Sequence, residues 1–129
     1  MSTTTFPDSV AAVISIVDAA VAEPVRSQVP NPRPAAFVLV RRVGGVRRNL
    51  VVDEATISVE AWAATEQAAH DLAQSARAAI HAAQGTVVSG AGTLYRSDEI
   101  GGPAWDPDDE SDQARYSFSV SVAFRGTSA

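Results

Sequence analysis

The sequence predicts an α+β fold: two helices packed on one face of a mostly antiparallel four-stranded sheet, in the order α-β-β-α-β-β. Three observations carry that expectation. Ala55, Ile57, Val59 and Ala61 alternate with Thr56, Ser58, Glu60 and Trp62, the two-residue period of a strand with one face on a core. From Thr65 the period lengthens, and Ala69, Leu72, Ala73, Ala76, Ile80 and Ala83 fall on one helical stripe. Near the C-terminus Tyr116, Phe118, Val120, Val122 and Phe124 alternate with Ser117, Ser119, Ser121 and Ala123, the clearest strand in the chain. The 129 residues suit a single domain, 1–129, with one core.

In chain order, Phe6 to Val21 reads as the first helix, with Val10, Val13, Ile14, Val17, Ala20 and Val21 on one side and Pro7-Asp8 suited to a first turn. Its β-branched content lowers intrinsic propensity, so tertiary packing has to hold it. Pro24 ends it, and Val25 to Pro34, with Pro30, Pro32 and Pro34, reads as an extended connector. Ala35 to Val43 is the first strand. Val43-Gly44-Gly45-Val46 then reads as a tight turn that pairs Arg41 with Arg48, Leu39 with Leu50 and Phe37 with Val52.

That pairing leaves a conflict. Val38 and Val40 share the Ile57 face, while Phe37, Leu39, Leu50 and Val52 occupy the other. Either a bulge near Asp53-Glu54 switches the faces, or both faces of the hairpin are covered, by another layer or another subunit. The second helix starts at a Thr65 N-cap, with Glu66 in the first turn, and stops at Gly85. Thr86 to Tyr95 is a weaker strand interrupted by Gly90 and Gly92. Ser97 to Gln113, rich in Gly, Pro and Asp, reads as a loop long enough to carry function.

Composition narrows the classes of function. The formal net charge of −5 argues against nucleic acid as the main partner, since phosphate binding relies on a basic field. No cysteine is present, so disulfides and thiolate metal sites are excluded. The apolar runs are too short to span a bilayer, and the N-terminus lacks a basic region followed by an apolar one, so a soluble chain is expected. All ten basic residues are arginine, which codon usage in a GC-rich genome accounts for. Their placement is uneven. Arg41, Arg42, Arg47 and Arg48 crowd one hairpin, while Asp106, Asp108, Asp109, Glu110 and Asp112 crowd one loop.

Candidates for chemistry do not survive inspection. His70 and His81 lie eleven residues apart on one helix, about 16 Å, too far to share a metal, and both read as solvated. The acidic loop lacks the glycine and terminal glutamate of an EF-hand. Residues 88–92 lack the first glycine of a nucleophile elbow, and Gly90-Ala91-Gly92 fails the dinucleotide fingerprint at Tyr95. Trp62, beside the strand–helix junction, reads as core; Trp105, in the long loop, suits a protein contact. No catalytic residue, metal or cofactor is expected.

A helix after FPD (6–8), a connector leading into RPAAFVLVRRVGG (33–45), Asp53, a strand closing in VEAWA (59–63), an Ala-rich helix with Arg77, a loop with Gly102-Pro103 and acidic residues, and a final RYSFSVSVAFRG (115–126) follow in order. This pattern, from about Phe6 to Gly126, resembles the tail terminator proteins of long-tailed, siphovirus-type phages of actinobacterial hosts. The resemblance implies a structural virion protein, assembled in the host cytoplasm and placed at the head–tail joint. It would form a hexameric ring on the tail tube protein, end tube polymerisation and offer its other side to the head-completion protein. On that reading Arg41, Arg42, Arg47 or Arg48 meets Trp105 and the Asp106–Asp112 segment of a neighbour or of the tube, with neither a membrane nor sequence-specific nucleic acid involved. Another neck component, or a small cellular α/β binding domain, would share the composition.

Overall fold

The computed structural model describes residues 4–5, 8–47, 52–88, 92–107, 111–125 and 127–128. Its centre is a pair of long antiparallel strands, β4 (Val52–Ala63) and β7 (Ala114–Arg125), in unbroken register from Val52↔Arg125 to Ala63↔Ala114. Alternation puts Ala55, Ile57, Val59 and Ala61 on the same face as Phe118, Val120, Val122 and Phe124, and all eight are buried. β3 (Phe37–Arg47) flanks β4, and β6 (Gly92–Trp105) flanks β7. The two-residue β2 (Val25–Arg26) and β5 (Val87–Val88) occupy the outer positions. Thr4–Thr5 (β1) and Thr127–Ser128 (β8) pair separately.

The expected four-stranded sheet is therefore wrong. Six strands run in the order β2-β3-β4-β7-β6-β5, with β2 parallel to β3, in a mixed sheet curled into a half-barrel. Three local misreadings produce the error. The proline-rich connector hides β2, whose Val25 is fully buried beside Val38. The stretch read as a loop from Ser97 is largely β6, which reaches Trp105 through three register shifts against β7. Those irregularities absorb Gly101, Gly102 and Pro103, which a regular central ladder would not tolerate. Likewise Thr86 to Tyr95 is not one strand: Val87 and Val88 pair back onto Thr93 and Gly92.

The tight turn at Gly44-Gly45 is also absent. β3 runs straight through both glycines, with a bulge between Arg42 and Gly44, and the partners are Phe37↔Trp62, Leu39↔Glu60 and Arg41↔Ser58. Gly45 adopts φ 131°, and a Cβ there would lie 2.2 Å from the Glu54 carbonyl oxygen, so the position requires glycine. The conflict over the two faces resolves by the second route, for Phe37 and Leu39, while Leu50 lies outside the described residues. The bulge sits in β3 rather than at Asp53-Glu54, and the second face is covered by the chain itself. There Phe37 stacks on Trp62, with ring centroids 5.3 Å apart, and Leu39 joins them. The Arg33 guanidinium lies 4.6 Å from the Trp62 ring, and Gln113 donates to the Pro34 and Ala35 carbonyls, pinning the connector.

Both helices pack on the other face. α1 (Ser9–Asp18) starts where the Asp8 carboxylate caps it, accepting from the amides of Val10 and Ala11 at 3.1 Å, and it ends short of the expected Val21, with Ala19 as its C-cap. It buries Ala12, Val13 and Val17. α2 (Glu66–Ala82) starts at the expected Thr65 cap and buries Ala69, Leu72, Ala73, Ala76 and Ile80. Beyond it Gly85 takes φ 81°, as the helix stop requires. No described helix is long and apolar enough to cross a membrane.

Candidate functional site

The basic hairpin divides into used and unused arginines. Arg42 grips Asp53 with both terminal nitrogens, at 2.9 and 3.3 Å, and its Nε donates to the Gly44 carbonyl at 3.0 Å. It braces the bulge. Arg41, on the helix-free face opposite Ser58, is exposed and makes no hydrogen bond or ion pair among the described residues. Arg47 is paired through its backbone with Asp53, and Arg48 lies outside the described residues.

The acidic segment divides in the same way. Asp106 is half-exposed but engaged by β7. Its carboxylate takes Arg115 at 3.3 Å and the Ser117 hydroxyl at 3.2 Å, while its carbonyl accepts from Arg115 Nε at 2.8 Å. Arg115 also approaches Glu60, at 3.5 Å, and lies 4.9 Å from the Trp62 ring. Asp106 thus clamps the end of β6 to β7. Asp112 is exposed, and Asp108, Asp109 and Glu110 lie outside the described residues. Trp105 is 46% exposed and rests on Tyr116, with ring centroids 5.5 Å apart.

The fold does not bring the two charge groups together. Arg47, opposite Asp53, lies at the Val52↔Arg125 end of the central pair, Arg41 and Arg42, opposite Ser58 and Ile57, lie near its middle, and the acidic segment lies at the Ala63↔Ala114 end. Eleven strand steps separate those ends, roughly 36 Å at 3.3 Å per residue. The sheet also keeps two long uncovered edges, because β2 pairs only Val38 and Leu39 of β3, and β5 only Gly92 and Thr93 of β6. Val43 and Val46 stand exposed on the first edge, Tyr95 and Ile100 on the second strand.

A feature that sequence reasoning missed lies where β4 turns into α2. Thr65, Glu66, Gln67, His70 and Tyr116 line an open cleft of about 650 Å³. Glu66 and His70 share a helix face by their four-residue spacing. Tyr116 opposes Ala61, near the end of the core face, so its ring reaches past the core to the start of α2. The Tyr116 hydroxyl donates to Glu66 at 3.2 Å, and the His70 ring stands edge-on to Tyr116, with centroids 5.2 Å apart. His70 Nδ1 lies 3.4 Å from Asp71, which also accepts from Gln67 at 2.9 Å. The i, i+4 pair Glu66/His70 was legible in the sequence; its meeting with a residue fifty positions later was not.

His81 is not a solvated helix residue either. It is half-buried, with Nδ1 3.0 Å from the Ser97 hydroxyl, and Arg77 pairs with Glu99, so two side chains tie α2 to β6. Desolvation, then the hydrogen bond to Glu66 and its charge, raise the Tyr116 phenol above its ordinary value of 10.0. No group of three His, Asp or Glu side chains among the described residues is placed to hold a metal ion. No protein-family model matches the sequence, and no curated protein matches it.

Proposed function

We propose that the chain is a structural virion protein that acts by assembly rather than catalysis. As a tail terminator it caps the tail tube, ends its polymerisation and forms the tail-side interface of the head–tail joint, as a hexameric ring. The observation that supports this best is the separation of unlike charge along the central strands, with Arg125 exposed at one end, beside the Arg47↔Asp53 pair, and Asp112 exposed beyond the other. A head-to-tail ring needs two different patches on each subunit, facing away from one another. Such charges set register and partner choice more than affinity.

Electron microscopy of tails assembled with and without the protein tests the reading. Overlong tubes in its absence support a terminator. Normal tube length with unattached heads assigns the chain to another neck component. Native mass in the presence of short tubes then gives the ring number, six being expected. A second reading, a small α/β binding module, draws support from the Glu66–His70–Tyr116 cleft. It predicts that tails are indifferent to the protein.

A further inference from the structure

We propose that the cleft at the start of α2 is a receptor for a guanidinium group, supplied by an arginine of a second copy of the chain. The chemistry is visible elsewhere in the same fold. Arg115 is held between an aromatic ring, Trp62 at 4.9 Å, and a carboxylate, Glu60 at 3.5 Å. The cleft presents the same two partners, the Tyr116 ring and the Glu66 carboxylate, with the exposed Trp105 beside them, and no arginine among the described residues lines it. A planar guanidinium satisfies both partners at once, by stacking on the ring and pairing with the carboxylate; a compact ammonium does not stack. The helix N-terminus opposes a cation with about half a charge, but Glu66 and the neighbouring Asp71 outweigh it.

The source follows from the inventory of cations. All ten basic residues are arginine, so any homotypic cation is a guanidinium. Among arginines with described side chains, Arg41 and Arg125 are the two without a hydrogen bond, ion pair or ring contact to a described residue. Neither reaches its own cleft. Arg125 lies nine residues along β7 from Tyr116, roughly 30 Å. Arg41 shares the face of Phe37 and Leu39, opposite the core face to which Tyr116 belongs. The identity of the donor rests on the self-association proposed above; the guanidinium specificity does not.

Two measurements separate these parts. The first is an NMR titration of the intact chain with N-acetyl-arginine amide and, in parallel, N-acetyl-lysine amide, at about pH 8, above the usual imidazole range. Saturable shifts of the Trp105 indole and the His70 and Tyr116 rings are expected, with arginine preferred several-fold. Glu66→Gln, which leaves the Thr65 cap in place, should weaken binding about tenfold, one charged contact's worth, and Tyr116→Phe less. No saturable shift, or equal response to lysine, overturns the guanidinium site. The second places a photo-crosslinking residue at Gln67 and mixes two isotopically distinct copies. Adducts to peptides holding Arg41 or Arg125 support the second copy as donor. Adducts confined to other segments, or none, overturn that source while leaving the first result standing. Tail length in the microscope decides the terminator reading separately.

Discussion

At the scale of single residues, the side chains divide into those that hold the subunit and those left over for contact, and charge alone does not sort them. Arg42 and Asp106 carry the same formal charges as Arg41 and Asp112, yet each is engaged by a partner within its own chain. Asp106→Asn should therefore lower the melting temperature slightly, by the loss of a solvent-screened ion pair worth up to about 1 kcal/mol. Asp112→Asn should leave it unchanged, and both are read by thermal unfolding. Gly45 makes the sharpest demand on the backbone. Gly45→Ala is expected to cost about 1–3 kcal/mol from its conformation alone, with the clash against the Glu54 carbonyl added, seen as a lower urea midpoint at unchanged slope.

Tyr116 gives a pH-dependent test at the same scale. Its folded value is raised, so the neutral phenol is the form the fold favours. That contribution is full below the unfolded value of 10.0 and is lost as pH rises through the higher folded value. Phenolate absorbance should show one tyrosine titrating late. Glu66→Gln should bring it back toward 10.0, and Tyr116→Phe should remove it altogether.

At the scale of elements, α2 shows how far a local pattern reaches. Its stripe, Thr65 cap and Gly85 stop were all readable, because a helix satisfies its own backbone and its burial repeats every three to four residues. Ala69, Ala73 and Ala76 let the helix approach the sheet closely, and all three are fully buried. Ala76→Leu should cost about 1–3 kcal/mol by overpacking, whereas Ala78→Leu, on the exposed face, should be nearly neutral in the same denaturation experiment. β6 shows the opposite case. Glycine, proline and aspartate at 98–106 have turn propensity, but a neighbour as regular as β7 recruits them into a bulged strand. The paired glycines at 44–45 have the chemistry of a two-residue turn, yet β4 is long enough to pair them with Thr56 and Ala55, just past the bulge. Turn propensity competes with ladder hydrogen bonds from a distant strand, and here the ladder wins.

At the scale of the molecule, the half-barrel leaves unlike charges at separated positions and two edges largely unpaired. Uncovered edges invite association, and the β6 edge is blunted by its bulges and Pro103 while β3 beyond Leu39 is not. Arg41→Glu, on that open strand, is expected to reduce assembly on tail tubes without changing the melting temperature of the isolated chain. Native mass measured beside thermal unfolding checks both parts, and unchanged rings would dispose of a role for this residue.

By itself the sequence determined the faces of β4 and β7, the whole course of α2, the core role of Trp62 and the grouping of arginines and acids into two separate stretches. Each is set by neighbours within a turn or two of chain, where burial repeats with a fixed period. Only the tertiary structure decided the register of β3, the strand character of β6, the parallel pairing of β2, and which charges are spent internally. It also decided that Tyr116 meets Glu66 and His70. These depend on hydrogen bonds and contacts between residues tens of positions apart, whose partners no local period specifies.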